Sequence, residues 1–153
     1  AGLIQGTFTN AAGTTLTNGT NVPRAKFGQA GWDIIGLGTV APAGTTSVTN
    51  VTAPATTTFY DGNYGNAFLI GSGTNALLPG GIIKSEEAWN IDTKMDDGRP
   101  ALGTVKTIES QGSATAGAGC GNLATANTTL VASTYDLANT SVSACALVIN
   151  SGY

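Results

Sequence analysis

The chain has 153 residues, enough for one domain (1–153) with a real core, although its 41% apolar fraction leans on Ala rather than on Leu, Ile and Phe. Only 10% of residues are charged and the formal net charge is −3, which argues against nucleic acid as a partner and against a polybasic grip on a membrane. There is no histidine, so a histidine-dependent triad, a histidine base and a histidine-ligated metal are all excluded. Abundant Thr, Asn, Ser and Gly with few Lys and Glu describe a surface of hydroxyls and amides, of the kind found on secreted β-rich proteins.

In chain order, Leu3 and Ile4 read as the end of an upstream helix stopped by Gly6, and residues 9–22 as a surface loop ending at Val22-Pro23. Gly31 to Val40 partly alternates between flanking glycines and reads as a strand. Residues 41–55, with Pro42, Gly44 and Pro54, read as a loop or irregular edge. Thr56 to Tyr60 is β-branched and aromatic, Asp61-Gly62-Asn63 is turn chemistry, and Asn66 to Gly71 is apolar, so the three together read as a β-hairpin. A glycine-rich bend follows at 71–81.

The most heavily punctuated segment comes next, a helix over about residues 85–97. Ser85 is placed to cap it, and Glu86 and Glu87 set negative charge against the positive end of its dipole. Ala88, Ile91 and Met95 recur at spacings of three and four as an apolar stripe, with Trp89 beside it and Asp92 and Lys94 off it. Gly98 supplies a left-handed cap and Pro100 the stop. Gly103 to Ile108 then alternates as a strand, residues 111–119 are a Gly/Ser/Ala/Thr run, Thr128 to Ala132 is a possible strand, and Ala144 to Ile149 suits a buried one. One helix among several short strands gives an α+β class: a twisted antiparallel sheet with a short helix packed on it.

The run Trp89-Asn90-Ile91-Asp92-Thr93-Lys94-Met95-Asp96-Asp97-Gly98-Arg99-Pro100-x-x-Gly103-x-Val105 resembles the head domain of type IV pilin-like proteins. Ala1 to Gly6, Ala30 to Ile34 and Gly65 to Gly71 fit the same family in the same order, so the resemblance runs from residue 1 to about Val105. It implies a non-enzymatic subunit of an extracellular pilus-like filament or secretion pseudopilus, partnered by copies of itself or by other pilin-like chains, with no cofactor. It also implies a long N-terminal hydrophobic helix, the sole route to a membrane, which these 153 residues do not include. Without that helix, one sheet face is expected to be left apolar.

Two cysteines, Cys120 and Cys145, in a chain that looks exported favour one disulfide over two buried thiols, and the resemblance agrees. Asp96 and Asp97 invite calcium, a hard cation held by carboxylates and carbonyls, but bonding to N–H groups of the Gly98-Arg99-Pro100 turn is the favoured use. Asp92 is read as pairing with Arg99 or capping a neighbouring loop. Trp32 and Trp89 read as core residues ahead of sugar platforms. The sequons at Asn18, Asn50, Asn127 and Asn139 are expected by chance in so Thr/Asn-rich a chain. The alternative function is an adhesin or minor tip pilin whose Thr/Asn loops bind a glycan or receptor. A carboxylate-pair enzyme is a third, requiring two carboxyl groups across a cleft.

Overall fold

A computed structural model describes residues 17–26, 30–40, 62–72, 80–109, 119–121, 132–138 and 144–151. Its elements are β1 (Gly31–Val40), β2 (Gly62–Gly71), α1 (Ser85–Met95), β3 (Val105–Glu109) and β4 (Cys145–Asn150). The four strands form one antiparallel sheet in the order β1-β2-β4-β3. With one helix, this is an α+β arrangement. No helix among the described residues is long and apolar enough to cross a membrane.

The strand expected at 31–40 is β1. The expected hairpin is corrected, because Gly62 and Asn63 lie inside β2, whose partners are β1 on one side and β4 on the other. Turn-forming residues at the head of a strand thus gave way to non-local pairing, which propensity does not encode. β3 begins two residues later than expected, since Gly103 sits at φ +70 in the preceding turn. Residues 1–16, 41–61, 111–118 and 128–131, which include the upstream helix end, two loops and two expected strands, lie outside the described residues. So do the sequons at Asn50, Asn127 and Asn139. The bend at 71–81 is closed at its ends by the Ser72–Gly80 bridge.

Register fixes what each face carries, because directly opposed residues share a face. One face holds two rows, Trp32–Ile70–Leu147–Thr107 and Ile34–Phe68–Ile149–Val105. Helix α1 covers the β4–β3 end of these rows, where Ala88 packs with Leu147, Val105, Ile83, Tyr135 and the disulfide. A second cluster of Ala25, Ala30 and Ile70, with Trp32, Ile82 and Ile149 against it, fills the middle. The β1–β2 end is open: Ile34 is 73% exposed and Phe68 41%. On the opposite face Ala67, Leu69, Ala146 and Val148 are buried.

Cys120 and Cys145 are joined in a disulfide with a Cα–Cα distance of 4.8 Å. It is buried and holds the 119–121 segment to the start of β4, where Ile83 also pairs with Cys145. The cysteines are 25 residues apart, and loop closure of that size is worth roughly 3 to 4 kcal/mol. Replacing both with Ala is expected to lower the unfolding free energy by about that amount in a urea titration; a loss below about 1 kcal/mol would show that the loop is already constrained without the bond.

Candidate functional site at the end of the helix

The chain enters α1 through the Ile83–Cys145 bridge, which turns Ser85 toward the sheet. Ser85 is therefore not the cap, as its type suggested. Lys84 holds the N-cap position with extended backbone (φ −73, ψ 158), and Ser85 is the first helical residue, fully buried. Its hydroxyl donates to the Gly119 carbonyl at 3.4 Å and lies 3.8 Å from Cys145 Sγ. Glu87 does the capping: its carboxylate accepts the Lys84 N–H at 2.9 Å. This is the acidic half of a capping box, and a lysine ammonium, having no acceptor, leaves the other half unmade.

The buried stripe of α1 is Ser85, Ala88 and Asp92, not Ala88, Ile91 and Met95. Ile91 is half-buried, Met95 is 58% exposed and Trp89 38%, so neither of the last two is core. Trp32 is half-buried, its ring set edge-on to Phe68 at 6.5 Å. The helix is rotated this way because Asp92 has partners inside. Tyr135 Oη donates to one of its carboxylate oxygens at 2.7 Å and the Gly98 N–H to the other at 3.2 Å. Asp92 is thus the loop cap of the two roles expected for it.

The turn after α1 is built from the other two aspartates. Asp96 leaves helical geometry (φ −151, ψ −124), ending the helix at Met95 rather than at 97. Its carboxylate accepts the N–H of Thr104 and, at 3.0 Å, that of Val105, bridging the whole turn. Asp97 accepts the Arg99 N–H at 2.8 Å, a local Asx turn. Within Gly98-Arg99-Pro100, the Arg99 N–H donates to Asp97 and the Gly98 N–H to Asp92, Pro100 having none to give, whereas Asp96 accepts from residues beyond that turn. Gly98 is left-handed (φ +71), and a Cβ there would meet Thr93 Oγ1 at 2.8 Å and Trp89 Nε1 at 3.5 Å. Pro100 is buried, and its carbonyl accepts the Thr107 N–H at 2.9 Å, tying the turn to β3.

One carboxylate oxygen each from Asp92, Asp96 and Asp97 lies within 4.8 Å of the others. Each group already accepts N–H or O–H donors of the chain, which supply the compensation a cation gives elsewhere. Burial is the main cause that pushes the Asp92 carboxyl up to about 6; the Tyr135 and Gly98 bonds pull it back, and the Asp97 and Asp96 charges add to the rise. Nearby, Lys106 is buried with its ammonium 4.4 Å from the centre of the Tyr64 ring, and burial lowers its pKa while Asp96 opposes the shift. Beside α1 an open groove is lined by Ile82, Ile83, Glu87, Asn90 and Ile91. It holds one carboxylate, and that one caps the helix.

Neither Tyr135 nor Lys106 stood out in the sequence. Tyr135 lies 43 residues from Asp92 in a polar run, and the single hint was an aromatic hydroxyl among Ser and Thr. Compared with protein-family models, curated proteins and solved structures, the chain matches none of them.

Two outcomes test this arrangement. Gly103→Ala is expected to cost about 2 to 4 kcal/mol, because the left-handed φ strains Ala and the new methyl displaces the Asp96 carboxylate from two N–H donors. In an Asp96→Ala background only the backbone strain remains, so the same substitution should cost about 1 to 2 kcal/mol in chemical denaturation. The second outcome concerns pH. The folded Asp92 pKa is raised from 3.8 to about 6, so between those values the native state holds a proton that the unfolded chain has lost. Its contribution to stability is therefore fully present below the lower value and lost as pH rises through the upper one. Melting temperatures from pH 4 to pH 7 should show the wild type losing ground to Asp92→Asn, and parallel curves would refute the shift.

Proposed function

We propose that this chain is the globular head of a type IV pilin-like subunit, a non-enzymatic protein of the cell surface or extracellular space that assembles into a filament or a secretion pseudopilus. The resemblance that suggests it is concentrated between Trp89 and Val105, and several residues there have a structural task. Asp92, Asp96 and Asp97 each satisfy backbone donors, Gly98 adopts a left-handed turn against Trp89, and Pro100 fastens the turn to β3. A motif whose aspartates, glycine and proline hold a helix and its turn to a sheet suits a subunit whose work is assembly.

The observation that carries the reading is the half-covered sheet face. Helix α1 shields the β3–β4 end, while Ile34 and Phe68 stay exposed and Trp32 half-exposed at the β1–β2 end. Contiguous exposed apolar surface marks a place of association. In a filament that surface is covered by other subunit structure, and the disulfide suits an oxidising compartment outside the cytosol.

Immunogold electron microscopy of the source cells tests the proposal. Antibody raised against this chain is expected to decorate surface filaments, or a short periplasm-spanning pseudopilus, that vanish when the gene is deleted and return on complementation. Labelling confined to the cytosol, or filaments unchanged by deletion, would overturn it.

A further inference from the structure

The sheet face turned away from α1 carries an amine and an amide among apolar neighbours. Lys106 lies there opposite Val148, and Asn150 follows Val148 on the same face of β4, so Asn150 is the diagonal neighbour of Lys106. Ala67, Leu69, Ala146 and Val148 fill the rest of that face and are buried. Lys106 is buried with them, an uncommon place for an amine.

The lysine side chain has a definite course. Its Nζ stands 4.4 Å from the centre of the Tyr64 ring, and Tyr64 belongs to β2 whereas Lys106 belongs to β3. Since β4 separates those two strands, the stem crosses β4 to reach the ring. It crosses on the Asn150 side, because Asn150 pairs with Ala67 and Tyr64 precedes Ala67 in β2, further from Val148. Gly65 between them is left-handed (φ 53), which breaks the alternation and lets Tyr64 share the face of Ala67 rather than that of Phe68.

Asn150 Oδ1 is buried and, among the described residues, has no hydrogen-bond partner. The neighbouring amine therefore does not donate to it, and an orphaned buried oxygen is costly. Asp96 marks the same corner: its carboxylate accepts the Thr104 and Val105 N–H groups, and the Thr104 carbonyl accepts the Asn150 N–H. Burial lowers the Lys106 pKa while the Asp96 charge opposes the shift, and the net effect enlarges the neutral, nucleophilic fraction of the amine.

We propose that Lys106 and Asn150 join in an intramolecular amide cross-link between β3 and β4. The neutral amine attacks Cγ of Asn150, the Nζ–Cγ bond forms, and the bond from Cγ to the amide nitrogen breaks. That nitrogen leaves as ammonia with one proton from the amine, and nothing is oxidised or reduced. Asp96 passes the proton from amine to amide, and the apolar face keeps out water, the competing nucleophile. With the disulfide at Cys145, β4 is then held covalently near both ends. The bond stands apart from the filament reading.

Mass spectrometry of the full chain, reduced and denatured, tests it. The wild type is expected to be lighter than its sequence by one ammonia, about 17 Da. Lys106→Arg and Asn150→Ala should each have the mass of their sequence. Trypsin should leave the wild type uncut at Lys106 and release a branched peptide joining it to the segment that carries Asn150. That peptide comes from the wild type alone, so a poorly folded variant cannot imitate it. A wild type at full sequence mass overturns the proposal. So does an ammonia loss that persists in Lys106→Arg, since it then belongs to a succinimide, for which Asn18-Gly19 is the expected place. Asp96→Asn is expected to leave most of the chain at full mass, and an undiminished ammonia loss there overturns the part given to Asp96.

Discussion

Asp92 reaches three parts of the molecule at once. It belongs to α1, accepts from the turn at Gly98, and accepts from Tyr135 in a segment that no strand ladder joins to the helix. Tyr135 in turn bridges to Gly121, and the Asp136 N–H donates to the Cys120 carbonyl, so the 119–121 and 132–138 segments hold each other. The disulfide fastens the first of these to β4 and Asp92 fastens the second to α1. A covalent and a polar cross-link therefore clamp the C-terminal third from two sides. Carrying a desolvated carboxylate is the cost of the polar one, and the chain meets it with two donors instead of a counter-charge.

The same donor logic occupies part of each outer edge of the described sheet. β3 is the last described strand on its side, and the turn before it occupies that edge: the Pro100 carbonyl takes the Thr107 N–H, and Asp96 takes those of Thr104 and Val105. At the opposite side the start of β1 is met by the chain that precedes it, with the Trp32 N–H donating to the Pro23 carbonyl and the Ala25 N–H to that of Ala30. Unpaired strand edges template unwanted pairing, and occupying these donors removes part of that template. The Trp89 to Val105 segment thus serves as helix, turn and edge cover in one continuous stretch.

Local rules were legible in this sequence wherever local forces decide. β1, the helix, β3 and β4 all lie within two residues of where alternation, acidic first-turn residues and the Gly-Pro stop put them. Ser85 shows where such rules give way. A serine ahead of two glutamates is a good cap, yet the bridge from Ile83 to Cys145 swings it inward and gives the capping to Glu87. Asp92 is the stronger case: helical periodicity assigns carboxylates to solvent, and only a tyrosine 43 residues away makes burial tolerable. The false hairpin has the same origin, since Asp61-Gly62-Asn63 has turn chemistry whereas β2 finds its neighbours far along the chain.

The distribution of side-chain size bears on how this fold is held together. Much of what is buried is small: Ala25, Ala30, Ala67, Ala88, Ala101, Ala144 and Ala146. Small residues let helix and sheet approach closely but each removes little apolar area from water, so core burial contributes less per residue than a Leu- or Ile-rich interior would. A chain with few large apolar residues gains most from them inside, and here Ile34, Phe68, Trp89 and Met95 are on the surface. The chain forgoes that burial and leans on a disulfide and a polar clamp. If the chain assembles as proposed above, covering those residues would restore apolar contacts that the single chain lacks.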